Sequence, residues 1–187
     1  KITMIDSLKM RFGLLGSNIS YSFSKGHFTD KFKDPVFEGY TYENFDIEDI
    51  NYFTELIKNN PDLRGLNVTI PYKEAILPFL DKLSKKATAI GAVNTIKFTK
   101  KGKLKGYNTD YYGFKKSLEP LLQPHHTKAL ILGTGGAAKG VAFALEELGI
   151  LYTFVSRENK EKTIRYDLLN ETVFENHTII INTTPLG

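Results

Sequence analysis

The stretch Ala129-Leu130-Ile131-Leu132-Gly133-Thr134-Gly135-Gly136-Ala137-Ala138 decides how this chain is to be read. Four apolar residues run into a glycine turn. A helical pattern follows, with Val141, Ala144, Leu145 and Leu148 on one face, and Gly149 ends it. A glycine turn by itself joins strands to helices in many proteins, so the flanking elements carry the reading. Strand, then G-x-G-x-x-A, then helix is the setting in which such a turn accepts the pyrophosphate of a dinucleotide. Gly133 permits the tight bend, Gly135 lets backbone amides approach the phosphates, and Ala138 keeps the helix close to the strand. The helix N-terminus adds N–H donors and a partial positive charge. Gly133, Thr134, Gly135, Gly136 and Ala137 are therefore the candidate cofactor contacts on this turn.

The next strand, Leu151 to Val155, ends in Ser156-Arg157. An NAD enzyme usually places Asp or Glu there to bond the ribose diol. Arg157 instead offers a guanidinium to a 2′-phosphate, with Ser156 as a hydroxyl donor. Glu158 opposes an anion, and a solvated surface arginine is the plainer alternative. On balance the pair favours NADP over NAD.

Upstream, Gln123-Pro124-His125-His126-Thr127 is polar, carries a proline and interrupts the periodicity. It sets an expected boundary between a domain at 10–124 and a second at 125–187. Within the first, extended and helical segments alternate. Arg11 to Gly16 reads as a buried strand, and Ser24 as the cap of a helix bearing Phe28 and Phe32. Phe37 to Phe45 reads as a second strand. Asp46 precedes a helix whose Ile47, Ile50, Phe53, Leu56 and Ile57 form one stripe. Leu63 to Ile70 is a third strand, with helices expected over 72–80 and 83–90. Val93 to Phe98 and Lys103 to Asn108 pair about Lys101-Gly102, and a helix follows Asp110. After the second cofactor strand, Thr163 to Tyr166 reads as a strand reached by a loop, and Thr178 to Asn182 as another. The alternation gives an α/β protein of two domains with mostly parallel sheets.

Composition narrows the functions. The 187 residues are 41% apolar and 25% charged, as in an ordinary globular protein. There is no cysteine, which removes disulfides, a thiolate nucleophile and a thiolate zinc site, and no His/Cys cluster suggests a metal. No apolar run approaches the roughly 18 residues of a membrane span. The net charge of +4 is mild. Its densest basic run, Lys97 to Lys105, has few interleaved aromatics that could stack bases, and it reads as a solvated hairpin turn. Residues 1–9 read as a leader ahead of a start at Met10, and the composition is compatible with a cytoplasmic setting.

Three polar clusters remain. Ser22 and Ser24, on alternate positions, can point together at a small anion, or one of them simply caps the next helix. Asn67 and Thr69 alternate at a strand end, and Lys73 follows in the first turn of a helix, where a cation is electrostatically misplaced. Gly91-Ala92-Val93-Asn94-Thr95 and Gly106-Tyr107-Asn108-Thr109-Asp110 put polar residues beside glycines at strand ends, where α/β proteins bind ligands.

With Gly13-Leu14-Leu15-Gly16, Ser22-x-Ser24, Asn67-Val68-Thr69-Ile70-Pro71-x-Lys73, Gly91-Ala92-Val93-Asn94-Thr95-Ile96, Asn108-Thr109-Asp110-x-x-Gly113-Phe114, Gly133-x-Gly135-Gly136-Ala137 and Asn182-Thr183-Thr184-Pro185-Leu186-Gly187 in that order, the chain resembles the shikimate dehydrogenases from Met10 onward. The resemblance implies NADP-dependent reduction of 3-dehydroshikimate to shikimate in aromatic amino-acid biosynthesis. It implies that Lys73 and Asp110 transfer the proton. Ser22, Ser24, Asn67, Thr69, Asn94 and Thr109 would contact the substrate, and Asn182, Thr183 and Thr184 would join the cofactor contacts. It also implies that the chain ends inside the cofactor domain. Rival readings are an NAD-dependent quinate/shikimate dehydrogenase and a non-catalytic shikimate sensor, against which the retained Lys73 and Asp110 speak. The chain departs from the family pattern at Tyr21, where His is usual, at Lys25, where Pro is usual, and at Ser156-Arg157-Glu158, where Asn-Arg-Thr is usual.

Overall fold

The computed structural model describes residues 10–158 and 163–186. The expected leader at 1–9 lies outside the described residues. The chain divides into two compact units, residues up to Ala87 with Val93–Tyr107, and Thr88–Ala92 with Asn108 onward.

The first unit is a six-stranded mixed sheet. Strands β1 (Met10–Gly16), β2 (Tyr40–Asp46), β3 (Leu63–Val68), β4 (Lys82–Leu83), β5 (Thr95–Phe98) and β6 (Leu104–Tyr107) lie in the order β2-β1-β3-β5-β6-β4. β1 runs parallel to both β2 and β3, whereas β5 is antiparallel to β3 and β6. β1 is buried on both faces, which is why it reads as a continuous apolar run instead of an alternation. Leu15 joins Phe53, Leu66, Val68, Tyr72 and Ile76 in the larger core, and Leu14 packs with Ile19 and Tyr42 on the opposite face. The helix α1 (Phe23–Lys31) covers that second face, its Phe28 ring stacked on Tyr42 at 4.4 Å.

Several local expectations change. The cap of α1 is Ser22, whose Oγ accepts from the Ser24 amide, because the helix begins two residues before Ser24 would allow. The stripe after Asp46 breaks into a 3-10 turn at Ile50–Tyr52, capped by Asp49 accepting from Asn51 N, and a short helix α2 (Phe53–Asn59). Asp46 is instead drawn back to accept from the amides of Asn18 and Ile19, at 2.8 and 3.0 Å. The strand expected from Phe37 starts at Tyr40, since Asp34-Pro35 nucleates a 3-10 turn over Pro35–Phe37. Pro78 shortens the next helix to α3 (Tyr72–Ala75) and a 3-10 turn at Leu77–Phe79. Helix α4 (Lys85–Ile90) starts two residues late because Lys82–Leu83 pairs with β6.

The second unit is a parallel four-stranded sheet. Strands β7 (Lys128–Leu132), β8 (Leu151–Ser156), β9 (Thr163–Arg165) and β10 (Ile179–Asn182) lie in the order β10-β7-β8-β9. Helix α6 (Gly136–Glu147) connects β7 to β8, with Ala138, Val141, Ala142 and Leu145 buried, and α7 (Glu171–Glu175) precedes β10. Helix α5 (Asp110–Leu118) packs here as well. Phe114 and Leu118 lie against the core of α6, and Lys115 bonds Glu147 at 3.1 Å. The sequence boundary at Pro124/His125 had placed α5 with the first domain. Its apolar face meets α6, which no local pattern reveals.

Candidate active site

Both sheets have a switch point, where successive connections leave a strand in opposite directions and ligands collect beyond the carboxyl ends. In the first unit it lies between β1 and β3. The antiparallel hairpin β5–β6 brings further residues to the same edge. β5 starts there and β6 finishes there, as the register Asn67↔Thr95 and Thr95↔Tyr107 requires. Ser22 and Ser24 follow β1, Asn67 closes β3 and Thr69 follows it, and Asn94 precedes β5. The Thr69 amide donates to Leu15 O at 2.9 Å, and the Val68 amide to Asn94 O at 2.8 Å. Lys73 enters on α3, whose backbone is tied to this edge by Val93 N donating to Lys73 O at 2.7 Å. Ser22, Ser24, Asn67, Thr69, Lys73 and Asn94 therefore share one sheet edge.

A hydrogen-bonded chain runs through this edge. Tyr42 Oη donates to Asn67 Oδ1 at 2.8 Å, Asn67 Nδ2 points to Thr95 Oγ1 at 3.5 Å, and Thr95 Oγ1 donates to Asn94 Oδ1 at 3.1 Å. Burial pushes the Tyr42 phenol up to about 12, with a small opposing effect from the Ser24 side chain. Tyr42, Asn67 and Thr95 also form part of the wall of a cavity of about 850 Å³, whose lining includes Phe12, Phe28 and Phe32 as well as Lys31, Arg64 and Lys97.

In the second unit the switch point lies between β7 and β10, and the glycine turn occupies it. Gly133 has φ +109°, and a Cβ there would stand 2.8 Å from Thr183 Oγ1. Thr183 is held in place by donating from both its amide and its hydroxyl to Leu132 O, at 3.0 and 2.6 Å. Asn182 Oδ1 accepts from the amide and hydroxyl of Thr184, which folds that loop on itself. Gly135 caps α6 with no side-chain hydrogen bond, so the first turn keeps its amides for another acceptor. Thr134, Gly136 and Ala137 lie on the same turn. Ser156, buried at the end of β8, accepts from the Glu158 amide at 3.1 Å, and Arg157 beside it is exposed.

Thr109 and Asp110 open α5 in this second unit. Thr109 holds the N-cap position, and the buried Asn108 before it accepts from Tyr111 N at 3.3 Å while donating to Ala92 O at 3.1 Å. A Cβ on Gly140 of α6 would lie 3.7 Å from both Asn108 Oδ1 and Asp110 Cβ, so α5 begins against the middle of α6.

Comparison with known proteins identifies the family. Residues 14–96 match the family model of the shikimate dehydrogenase substrate-binding domain. A shikimate dehydrogenase (NADP(+)) of Clostridium botulinum strain Loch Maree is 40% identical, over 94% of this chain and 71% of its own length. The chain belongs to the shikimate dehydrogenase family. The crystal structure of the shikimate dehydrogenase of Aquifex aeolicus superposes with a TM-score of 0.84 at 32% identity, covering 98% of this chain and 72% of that one. The shikimate dehydrogenase of Thermus thermophilus, solved in complex with NADP(H) and shikimate, gives 0.74 at 31%, covering 94% and 68%. Against that family background, two residues of the site edge were missed by sequence reasoning. Tyr42 reaches Asn67 from a strand that is not its neighbour, across β1, which no local spacing announces. Thr95 was quoted within a motif but given no part.

Proposed function

We propose that the chain catalyses reversible, NADP-linked reduction of 3-dehydroshikimate to shikimate, with Lys73 and Asp110 handling the proton. What carries this reading is the single sheet edge that collects Ser22, Ser24, Asn67, Thr69, Asn94 and Lys73. These are hydroxyls, amides and one ammonium, suited to a small polyhydroxylated carboxylate. The two serines would take the carboxylate, and Asn67, Thr69, Asn94 and Thr109 the ring oxygens.

The second unit fits a dinucleotide. The positive φ at Gly133, the bare first turn of α6 and the loop Asn182–Thr184 beside it leave backbone donors for a pyrophosphate. Arg157, exposed at the end of β8, and Ser156 beside it are this reading's candidates for a 2′-phosphate. When bound, the cofactor supplies the hydride that the ketone carbon accepts. Negative charge then grows on the ketone oxygen, where a Lys73 ammonium stabilises it and hands over a proton from Nζ. By the family resemblance, Asp110 takes part with Lys73 in that proton transfer. In the oxidative direction the same groups take the proton from the alcohol. A cytoplasmic location goes with this reading, because the cofactor pool is intracellular. No helix among the described residues is long and apolar enough to cross a membrane.

The test is shikimate-dependent absorbance at 340 nm with NADP and NAD in parallel, on this chain and on Lys73→Ala. Turnover with NADP should fall about 10²–10⁴-fold in the variant, the usual worth of a positioned proton-transfer group. A loss below tenfold removes Lys73 from the chemistry, and faster turnover with NAD removes the role given to Arg157. A chain that binds no shikimate at all would overturn the reading as a whole.

A further inference from the structure

Ser22 reaches the ligand edge at the end of an irregular segment, residues 17–22, between β1 and α1. Such a segment must find partners for its backbone polar groups outside itself. The carboxyl end of β2 supplies them. Asn44 and Asp46 are two residues apart on that strand and so point to one face. The two oxygens of Asp46 accept from Asn18 N at 2.8 Å and from Ile19 N at 3.0 Å. Asn44 Nδ2 donates to Ile19 O at 3.3 Å, and the same carbonyl accepts from Ser22 N at 3.0 Å. The Ile19 side chain is 1% exposed and packs with Leu14 and Tyr42. Gly16 makes room for it, since a Cβ there would stand 2.5 Å from Ile19 Cγ2. Asn18 sits at φ +55°, a left-handed conformation that few residues other than glycine adopt unaided. The turn is therefore imposed by its contacts, and β2 makes three of them.

We propose that Asp46 is a positioning residue for anion recognition: its carboxylate, with Asn44 beside it, fixes the Asn18–Ser22 turn and through Ile19 sets where Ser22 stands on the ligand edge. The inference rests on the substrate reading above. It deepens that reading, because it names what aims the serine that takes the carboxylate. The geometry calls for an acid at this position. Two backbone donors converge on one side chain, and a carboxylate offers an acceptor oxygen to each. An asparagine of the same shape would turn its NH₂ against one of the two amides. In this role Asp46 does not touch the ligand. Its influence passes through the Ile19 peptide to Ser22 N, and from there to the hydroxyl that Ser22 presents.

The test is a double-mutant cycle on shikimate binding. Calorimetry measures it in the parent, Asp46→Asn, Ser22→Ala and the double variant, with NADP titrated alongside. Asp46→Asn should bind shikimate about 5–10-fold more weakly, the loss expected from one hydrogen bond. Added to Ser22→Ala, the same change should cost no more than about a further twofold, because the strut then has nothing left to aim. NADP binding should stay within about twofold throughout. A merely structural role would multiply with the loss in Ser22→Ala, or would weaken NADP as much as shikimate, and either result overturns the proposal. A parent that binds shikimate no better than Asp46→Asn does removes the strut alone. A parent that binds no shikimate removes the function proposed above, and the strut with it. If Asp46→Asn lacks the parent's far-ultraviolet circular dichroism, Asn44→Ala takes its place in the cycle. Asn44 Oδ1 is buried without a partner among the described residues, so that variant breaks only the bond to Ile19 O. It should weaken shikimate about 2–5-fold with the same dependence on Ser22, and independence of Ser22 overturns the proposal equally.

Discussion

The two units solve the same problem with different parts of the chain. The second unit presents backbone: a glycine turn, a bare helix end and a threonine pinned to Leu132 O. The first presents side chains, brought to the edge by several elements and aligned there by strand register. Backbone recognition suits a pyrophosphate, whose oxygens are alike and only accept. A small ring with chemically distinct substituents calls for side chains of set polarity. Tolerance to change should therefore differ as well, in the cores, in the turns and in the response to base.

The sharpest way to break the comparison is through the cores. Phe53, 1% exposed, anchors the first, and Leu145, 0% exposed, anchors the second. Phe53→Ala should lower the free energy of unfolding by about 3–5 kcal/mol and Leu145→Ala by about 2–5 kcal/mol. Guanidinium unfolding followed by circular dichroism would measure both. A cost below about 1 kcal/mol in either variant would mean that its unit does not depend on the core assigned to it.

Next in size is Gly133→Ala. The added methyl meets Thr183 Oγ1 at 2.8 Å, and the φ of +109° is one that alanine adopts only under strain, roughly 1–3 kcal/mol. NADP should bind at least about tenfold more weakly while shikimate affinity stays within twofold. A variant that loses both ligands equally would show that the turn is a general structural support and not a phosphate cradle.

These outcomes bear on how much of the molecule was readable from its residues. The glycine turn between β7 and α6 was legible because its bend needs a residue free to adopt positive φ, and Gly133 supplies it. The hairpin β5–β6 was legible from Lys101-Gly102 between two extended runs. The substrate edge was legible as residue types only. That Tyr42 reaches Asn67 across β1 depends on the register Phe12↔Tyr42 and Leu14↔Asn67, which is a property of the assembled sheet. The same limit explains Ser24, read as a cap in place of Ser22, and α5, assigned to the wrong neighbour. Each depends on a partner distant in sequence.

The smallest effect compares one tyrosine from each unit. Burial pushes both Tyr42 and Tyr152 up to about 12, and Glu146, which accepts from Tyr152 Oη at 2.7 Å, adds to the second shift. Each phenol is neutral in the folded state over a range where the unfolded chain would ionise it. The stability they contribute is complete below pH 10 and is lost as pH rises from 10 through about 12. Melting temperature measured from pH 9 to 12 should fall less steeply in Tyr42→Phe and in Tyr152→Phe than in the parent. Identical slopes would show that neither ring governs the alkaline response of its unit.

The hairpin that completes the substrate edge has one more consequence. β5 leaves that edge and β6 returns to it, so the turn at Thr99–Lys103, closed by Thr99 N on Lys103 O and by Gly102 at φ +70°, marks the opposite end of the sheet. Chain length there is decoupled from the chemistry. It is where an inserted peptide, a fluorophore or a surface tether could be grafted onto the scaffold with the ligand edge undisturbed.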